Sequence, residues 1–402
     1  MMIPYGYKQT EVGVIPEDWD VRKIGDFTDI TAGGTPSTSH PEYWNGEILW
    51  MSSGELNNRR IHNVIGRITE LGYNNSSTHM IPKNCVLIGL AGQGKTRGTV
   101  AVNYVELCTN QSIAAIFPSK EHNSEYLYQN LRSRYAELRE LSSGDGGRGG
   151  LNLTIIKNFP CAFPKLQEQN RIAEALSDVD GMISSLEKLV AKYKSIKTAC
   201  LQQMFPQNGE TVPRMRLPGF TGAWEQRKVS ELFRVTRGYV LAATQTETTK
   251  TDEKPYPVYS SQTKDKGLMG YYKDYLYEDA ITWTTDGANA GTVNYRAGKF
   301  YCTNVCGVLV SNEVKANQMI AEALNSVAKG YVSYVGNPKL INNVMADIAI
   351  QIPTQAEERE QLSSFFAKLD NLITLHQRKL EKIQKIKQGM MQQLLTGKIR
   401  LV

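Results

Sequence analysis

Hydrophobic residues recur at alternating spacings of four and three in two long stretches of the chain. The first stretch runs from Ile172 to Cys200 and the second from Leu362 to Met390, and each position of the second lies 190 residues after its counterpart. A mean spacing of about 3.5 residues is typical of helices that pack as a coiled coil. Neither stretch contains a proline, and each begins shortly after one, as expected near a helix start. The pattern predicts two long helices of one design.

The apolar positions of each helix predict a seam that is buried between the two. We expect this seam to contain Leu176, Val179, Ile183, Leu186 and Val190 on the first helix, and Phe366, Leu369, Ile373, His376 and Leu380 on the second. His376 occupies the repeat position that Leu186 holds in the first helix. A polar residue on a coiled-coil seam is typical of a position that tunes helix register, and we interpret His376 in that way rather than as a catalyst.

The segments that precede the helices also match each other. Trp19 corresponds to Trp224, and three short phrases recur: Thr31-Ala32-Gly33 as Thr236-Arg237-Gly238, Gly98-Thr99-Val100 as Gly291-Thr292-Val293, and Cys108-Thr109-Asn110 as Cys302-Thr303-Asn304. An internal repeat of this kind indicates a chain built from related modules. The predicted segments are a globule over 1–165, a helix over 166–205, a second globule over 206–352 and a second helix over 353–402.

Within each globule, both strand and helix patterns occur. Short apolar runs between glycine turns predict strands at Cys85 to Leu90, Thr99 to Val105, Ile113 to Phe117, Ala280 to Thr284 and Gly307 to Val310. Helical spacing and good helix formers predict helices at Glu125 to Leu141 and Ala316 to Val327. The fold class is therefore α+β, with two related globules, two long helices and an approximate internal twofold repeat.

The run Gly89-Leu90-Ala91-Gly92-Gln93-Gly94-Lys95-Thr96 matches the phosphate-loop pattern of nucleotide-binding enzymes. That chemistry requires a helix beginning at the Gly-Lys-Thr, so that its N-terminal amides face the phosphates. The following residues, Arg97 to Tyr104, are rich in β-branched side chains and predict another strand. The matching stretch of the second globule, Thr285 to Gly291, contains no lysine. We therefore interpret both stretches as hairpin turns.

The two turns carry different polar side chains on an equivalent scaffold, as two modules that read different targets would require. Candidate contacts to such a target are Lys95 and Arg97 in the first turn and Asn289 in the second, together with Arg59, Arg60, Arg148, Lys264 and Lys266 from other polar stretches. Each of the basic residues would suit contact with a phosphate. The alternative for every position is an ordinary solvated side chain on the surface.

Composition narrows the class of protein without identifying a function. The chain has 402 residues, of which 21% are charged and 41% hydrophobic, which is typical of globular proteins. The net charge is +6, and residues 353–402 contain nine Lys and Arg against five Asp and Glu. This surplus is compatible with nucleic-acid binding but too small to prove it. Six cysteines without close pairing, no apolar leader and no apolar run of membrane length favour a cytoplasmic protein.

Residues suited to catalysis are sparse. None of the five histidines forms a metal-spaced pair, and the GxSxG and HExxH patterns are absent. Cys302 and Cys306 lack a second Cys or His pair at zinc spacing, so we interpret them as core thiols. We expect neither a catalytic site nor a metal site in this chain.

Several phrases resemble the specificity subunits of type I restriction-modification systems. They are Ile15-Pro16-Glu17-Asp18-Trp19, Trp50-Met51-Ser52-Ser53-Gly54-Glu55-Leu56, Leu107-Cys108-Thr109-Asn110-Gln111-Ser112 and the ending Gln393-Leu394-Leu395-Thr396-Gly397-Lys398-Ile399-Arg400-Leu401. Together with the repeat of globule and helix, the resemblance covers nearly the whole chain. The second globule shows Gly238-Tyr239-Val240-Leu241 where the first has Gly33-Gly34-Thr35-Pro36, so no residue roles are transferred there.

The resemblance implies a non-catalytic subunit whose two globules are target-recognition domains. Each would read one half of a split, asymmetric site in double-stranded DNA. The helices would pack antiparallel as a spacer and dock two modification subunits, so that Leu176 would lie nearer to Leu380 than to Phe366. A helix of about 40 residues spans ~60 Å, enough to hold two readers about one DNA turn (~34 Å) apart.

The same resemblance implies that the cofactors belong to partner subunits and that this chain holds none. The modification subunits would use S-adenosylmethionine to methylate adenine, and restriction subunits using ATP and Mg²⁺ would cut distant unmodified DNA. Two other classes of function stay open. One is a stand-alone enzyme, either a nucleotide hydrolase using Lys95 or a DNA methyltransferase, and the other is a coiled-coil scaffold that does not read DNA.

Overall fold

In the computed structural model, the chain divides into two compact units. Unit 1 comprises Met1–Leu186 and Lys379–Val402, and unit 2 comprises Glu187–Arg378. The structure describes residues 3–92, 96–141, 150–207, 209–261 and 264–402, the last range without the side chain of Lys264. Both long helices contribute to both units, whereas the boundaries predicted from the sequence separate helices from globules. Those boundaries remain a prediction.

Unit 1 contains the strands and helices of the first globule. Its strands are β1 (Tyr7–Thr10), β2 (Gly13–Pro16), β3 (Asp20–Lys23), β4 (Ile30–Ala32), β5 (Trp44–Met51), β6 (Arg60–Ile61), β7 (Arg67–Ile68), β8 (Met80–Ile81), β9 (Val86–Gly89), β10 (Val100–Asn103), β11 (Leu107–Thr109), β12 (Ile113–Ile116) and β13 (Pro160–Phe163). Its helices are α1 (Glu70–Asn74), α2 (Ser124–Ser133), α3 (Tyr135–Leu141), α4 (Leu153–Lys157) and the first part of α5 (Leu166–Met204).

The central sheet of unit 1 has the strand order β4-β12-β9-β10-β6, in which only β6 runs parallel to its neighbour. Its middle strands are buried on both faces, which explains why they read as continuous apolar runs in the sequence. Val86 and Ile88 belong to a core that includes residues of α2 and α4, and Leu87 belongs to a second core on the other face. The second core includes Met51 and Leu56.

Unit 2 repeats this arrangement with fewer accessory strands. Its strands are β14 (Glu225–Lys228), β15 (Phe233–Arg237), β16 (Tyr256–Tyr259), β17 (Leu268–Tyr272), β18 (Tyr277–Thr284), β19 (Val293–Cys302), β20 (Cys306–Ser311) and β21 (Ala349–Ile352). Its helices are α6 (Val229–Leu232), α7 (Gln318–Val327), α8 (Asn342–Asp347), the second part of α5 and the first part of α9 (Ala356–Leu394). The remainder of α9 belongs to unit 1.

The sheet order of unit 2 is β15-β20-β18-β19-β16-β17, and its first five strands follow the order of the central sheet in unit 1. The parallel pair is also repeated, because β16 runs parallel to β19 as β6 does to β10. The small sheets β13-β3 and β14-β21 are likewise equivalent. The α+β fold with an internal repeat is confirmed, and all five predicted strands are present. The helix predicted over Glu125 to Leu141 is interrupted at Arg134, where α2 ends and α3 follows.

One glycine of the repeated phrases makes the same close backbone contact in both globules. A Cβ atom on Gly33 would lie 2.0 Å from the carbonyl oxygen of Thr109, and one on Gly238 would lie 2.2 Å from that of Cys302. Both distances are far shorter than any real contact of a side chain. Glycine is therefore required directly after β4 in the first globule and directly after β15 in the second, where the backbone passes the Cys-Thr-Asn phrase. Only glycine permits such a close backbone approach.

The long helices run antiparallel within each unit. In unit 1, Nζ of Lys387 on α9 lies 2.6 Å from a carboxylate oxygen of Asp180 on α5, and Arg400 beyond α9 bonds Glu168 near the start of α5. In unit 2, Lys197 lies 2.7 Å from Asp370. Positions later in α5 thus meet positions earlier in α9 in both units. The antiparallel direction is confirmed.

The register of the helix pair differs from a direct pairing of the two predicted seams. Leu176 belongs to a cluster with Met390, Met391 and Leu394, and Phe366 packs its ring 5.6 Å from that of Phe205. The contacts of Leu176 therefore lie beyond Leu380, the last residue of the predicted second seam, and Phe205, which contacts Phe366, lies beyond Val190, the last residue of the first. Heptad spacing identifies the buried face of a helix but leaves its axial offset undetermined. The buried seam residues are Leu176, Leu186, Val190, Phe366, Leu369 and Ile373, whereas Val179, Ile183, His376 and Leu380 are half-buried.

A buried ion pair fixes the N-terminal turn of each long helix. The guanidinium of Arg400 donates to both carboxylate oxygens of Glu168, at 2.7 and 2.9 Å, and the indole nitrogen of Trp19 donates to the same carboxylate. In unit 2, Arg216 donates to both oxygens of Glu358, at 2.8 and 2.7 Å. Glu168 and Glu358 occupy equivalent positions 190 residues apart. A carboxylate in the first turn of a helix is also stabilised by the positive end of the helix dipole.

No helix in the described ranges combines the length and apolar character needed to cross a membrane.

Candidate nucleic-acid interface

The two ends of the phosphate-loop string of the first globule lie beside paired strands, with Gly89 at the end of β9 and Thr96 shortly before β10. The two strands pair antiparallel, with Val100 opposite Ile88, and a turn at Thr96 to Gly98 leads directly into β10. The expectation that a strand follows the string is confirmed, so the helix N-terminus that a nucleotide site requires does not follow it. Arg97 is half-buried in this turn. Lys95, the other candidate contact in the turn, lies outside the described residues.

The corresponding turn of the second globule joins β18 to β19. Gly291 adopts a φ of 79°, and Gly98 at the equivalent position adopts 75°, so both turns use the left-handed conformation that glycine readily adopts. Asn289 is half-buried, and its Nδ2 donates to the carbonyl oxygen of Ser261 at 3.4 Å. The two hairpins thus share the glycine conformation that precedes the second strand, and their side chains differ.

The basic residues around the first hairpin have different environments. Arg59 is exposed and lines a cavity of about 390 Å³ together with Gly98 of the hairpin turn and Arg132. Its φ of 63° is rare for a residue with a side chain. The structure therefore brings Arg59 close to the first hairpin. Arg148 lies outside the described residues.

Arg60 belongs to an ion cluster between the first globule and α5. Its guanidinium lies 2.6 Å from Glu125 and 2.9 Å from Asp180, and its Nη1 donates to Tyr104. Although burial opposes it, hydrogen bonds and the charge of Glu125 raise the pKa of Arg60. These contacts account for Arg60 without DNA, because the guanidinium is already paired with two carboxylates.

Asp180 is the centre of this cluster. Burial alone would raise the pKa of Asp180, but hydrogen bonds from Lys387 and Gln129 hold this pKa at about 2. Burial and the neighbouring charge of Arg132 lower the pKa of Lys387 to about 8. Three cations therefore surround two carboxylates, and the cluster fastens the first globule to the helix pair of unit 1.

An equivalent cluster fastens the second globule to the helix pair of unit 2. Lys197 lies 2.5 Å from Glu322 on α7 and 2.7 Å from Asp370 on α9. Asp370 and Lys197 are the repeat counterparts of Asp180 and Lys387. Although burial opposes it, the two carboxylates raise the pKa of Lys197. His376 stacks on Tyr193 nearby, with the ring centres 5.5 Å apart and the planes 7° from parallel.

The second globule contains a charged residue that the sequence analysis missed. Arg296 projects from β19, is only 6% exposed, and lines a cavity of about 230 Å³ with Asn289 and Lys266. Its Nε donates to Oγ1 of Thr282 at 3.0 Å, and its Nη2 donates to the carbonyl oxygen of Lys266 at 2.7 Å. Comparison of the two repeats could have identified it. Arg296 lies three residues after the Gly-Thr-Val phrase of the second globule, and the residue at the same place in the first globule is the neutral Asn103.

Lys266 contacts Arg296 through its backbone carbonyl oxygen and not through its side chain. Its own ammonium group is 56% exposed and lies 3.6 Å from Asp370. Lys266 and the preceding Asp265 both have positive φ angles, of 54° and 50°. The side chain of Lys264 lies outside the described residues. Two of the predicted contacts, Asn289 and Lys266, are therefore brought together around Arg296.

Comparisons with known proteins agree with this architecture. The sequence model of the type I restriction modification DNA specificity domain matches residues 16–197 and again residues 222–385. A type I restriction enzyme MjaIX specificity subunit from Methanocaldococcus jannaschii is 30% identical over 242 residues, which span 58% of this chain and 55% of that relative. A second protein of that organism, described as a putative type I restriction enzyme MjaX specificity subunit, is 21% identical over 98% of this chain and 97% of its own length.

The fold is also that of a solved structure. A crystal structure of a type I restriction-modification system S subunit from M. genitalium superposes with a TM-score of 0.70, covering 94% of this chain and 96% of the other. The sequence identity is 16%, so this likeness concerns the fold alone.

Proposed function

Because the chain belongs to the family of type I restriction-modification specificity subunits, with the family domain present twice, we propose that it reads a bipartite, asymmetric DNA site. Each globule reads one half of the site. The observation that carries the proposal is the match of the family domain to both copies of the repeat. DNA-reading modules on one chain give a split site, because each contacts its own set of base pairs.

The differences between the two globules support an asymmetric site. Their central sheets have the same strand order, yet the equivalent hairpins carry Lys95 and Arg97 in one and Asn289 in the other. Sequence is read by hydrogen bonds to base edges, so different polar side chains on the same scaffold select different bases.

We also propose that the helix pair docks two modification subunits on equivalent surfaces. In unit 1, Met182 on α5 and Ile386 on α9 are exposed, at 56% and 43%. In unit 2, the exposed apolar residues at their repeat positions are Leu372 and Ile196. Apolar side chains exposed at matched positions suit two copies of one partner, because a twofold repeat offers each copy the same contacts.

The chemistry belongs to these partners in this proposal. The modification subunits bring S-adenosylmethionine and methylate adenine in each half-site, and restriction subunits supply cleavage driven by ATP and Mg²⁺. The chain itself acts as a non-catalytic reader and spacer in the cytoplasm. Its helix pair sets the distance between the half-sites.

The test is to map modified bases in cells with and without this chain. Deleting its gene should abolish adenine methylation at one split motif, and supplying the gene again should restore it. Loss of no motif, or of a continuous one, would contradict the proposal. Two further measurements separate the alternatives. ATP binding by the purified chain would favour a nucleotide enzyme, and absence of any sequence preference with partners present would favour a scaffold.

A further inference from the structure

Arg296 is buried in neutral surroundings. Its hydrogen bonds go to a hydroxyl and a backbone carbonyl, and its Cζ lies 3.7 Å from the centre of the Tyr259 ring. No carboxylate of the described residues forms an ion pair with it. Burial lowers the pKa of Arg296, but an arginine side chain stays charged in proteins. A buried charge without a counter-ion is strongly unfavourable, so its presence calls for a compensating role.

The fold does not require this charge. At the equivalent place in the first globule, Asn103 is fully buried and donates from Nδ2 to the carbonyl oxygens of Pro82 and Val105. A neutral amide therefore satisfies the same strand position when it only has to support the neighbouring loops. The charge of Arg296 is specific to the second globule, which points to a role outside packing.

The backbone at Asp265 and Lys266 adopts an unfavourable conformation beside the guanidinium of Arg296. Asp265 and Lys266 adopt left-handed conformations in succession, with ψ angles of 38° and 30°, and this places the carbonyl of Lys266 against Nη2 of Arg296. Left-handed backbone is unfavourable for residues with a Cβ and persists where the surroundings impose it. The same segment is held from the other side by the contact between Lys266 and Asp370.

One side of the guanidinium remains available to a ligand. Nε and Nη2 are engaged and Tyr259 interacts with the guanidinium, whereas the hydrogen bonds of the described residues include none from Nη1. The adjoining cavity of about 230 Å³ is lined by hydroxyl and amide groups, among them Ser260, Asn289, Thr292 and Asn294. These groups, together with a cation, match the side chains that hold phosphate oxygens in protein–DNA complexes.

We infer that the Arg296 cavity binds a backbone phosphate of the DNA half-site that the second globule reads. This inference rests on the proposed function and assigns one contact within it. The phosphate supplies the missing negative charge, and its oxygens accept hydrogen bonds from Nη1 and from the amide groups of the cavity. Asn289 links the cavity to the β18–β19 hairpin, so a phosphate held there fixes the position of the hairpin on the duplex. A free phosphate ion shares this chemistry, and the experiment separates the two sources.

The first measurement compares DNA binding by the chain assembled with its modification subunits. Arg296→Gln removes the charge, and Arg234→Gln on β15 is the matched control, because Arg234 is an exposed arginine of the same sheet. Arg296→Gln should weaken binding about tenfold or more, as expected for loss of a hydrogen bond to a charged group. The slope of log affinity against log salt should become shallower by about 0.9, the value for one phosphate contact. The methylated motif should stay the same.

The second measurement uses duplexes in which one phosphate at a time is replaced by a neutral methylphosphonate. One position in the second half-site should weaken the wild-type complex and have no further effect on Arg296→Gln. This scan needs only the wild-type protein for its first part, so it still applies if the variant fails to fold. The inference is wrong if no phosphate of that half-site matters, if both arginine variants change the slope equally, or if Arg296→Gln binds like wild type.

The outcomes also separate this inference from the proposed function. If the wild-type complex binds no duplex selectively, the proposed function fails and this inference fails with it. If wild type reads DNA and Arg296→Gln does so with unchanged affinity and slope, only the phosphate contact is wrong. In that second case, the effect of inorganic phosphate on thermal stability is informative. If phosphate stabilises the wild type but not Arg296→Gln, the cavity binds a free anion instead of DNA.

Discussion

Two lysines at equivalent positions of the helix repeat have opposite electrostatic environments. Lys197 faces two carboxylates, which raise its pKa, whereas Lys387 shares Asp180 with Arg60 and Arg132, so that burial and like charge lower its pKa to about 8. Lys387 is nonetheless buried, Lys197 is half-buried, and both are paired with carboxylates. The same residue thus fastens the helices in both units, and the globule beside it determines how tightly its proton is held.

Removing Lys197 should strongly destabilise unit 2. Lys197→Met leaves the carboxylates of Glu322 and Asp370 buried without their main cation, and breaking a buried pair in this way costs about 3–5 kcal/mol. The exposed Lys192 on the same helix is the control, since a surface substitution changes stability by about 0.5 kcal/mol or less. Urea unfolding measures both. A Lys197→Met protein as stable as the control would refute the structural role of the cluster.

His122 should make the stability of unit 1 sensitive to mild acid. Its Nδ1 lies 2.7 Å from Oγ of Ser119, its Nε2 has no partner among the described residues, and burial lowers the pKa of His122 from 6.5 to about 4. The unfolded chain binds the proton first, so the free energy of unfolding falls as the pH drops from 6.5 to 4. The loss is roughly 3 kcal/mol when each pKa unit is worth about 1.4 kcal/mol.

The test compares wild type with His122→Gln by urea unfolding at several pH values. The stability advantage of wild type at pH 7 should shrink or reverse towards pH 4, because glutamine does not titrate. His62→Gln, at an exposed position, is the control for general charge effects. A difference between wild type and His122→Gln that stays constant with pH would contradict a buried neutral imidazole.

At the scale of elements, periodic patterns predict the two long helices and five strands of the two central sheets. Continuous apolar runs identify β9, β12 and β20 because both faces of these strands are buried. Heptad spacing identifies α5 and α9, but their axial register follows from contacts such as Asp180 with Lys387, which no local pattern contains. Arg296 escaped prediction for a similar reason, since its burial depends on strand pairing and on a loop that lies 30 residues earlier in the chain.

Phe366 should be a principal packing residue of the helix pair in unit 2. It is fully buried in the core of the second globule and contacts Phe205, so Phe366→Ala should cost about 3–5 kcal/mol through the cavity it leaves. The neighbouring Phe365 is only half-buried and serves as the control, with a clearly smaller loss for Phe365→Ala. Equal losses for the two variants would mean that the described helix face is wrong.

At the scale of the whole molecule, the repeat connects fold to function. Each globule has the same sheet order, the same close glycine contact and its own buried lysine cluster with the long helices. The side chains that differ between the globules include those on the hairpins and around the Arg296 cavity. A chain with equivalent scaffolds and different reading surfaces should therefore have separable specificities, one for each globule.

Exchange of one globule, followed by sequencing of methylated bases, tests this claim most directly. Residues 1–165 would be replaced by the matching segment of a homologue, while the second globule and both helices stay unchanged. Independent reading predicts that one half of the methylated motif changes, and that the other half and the spacing between them are preserved. A change in both halves, or a new motif unrelated to the first, would contradict independent reading by the two globules.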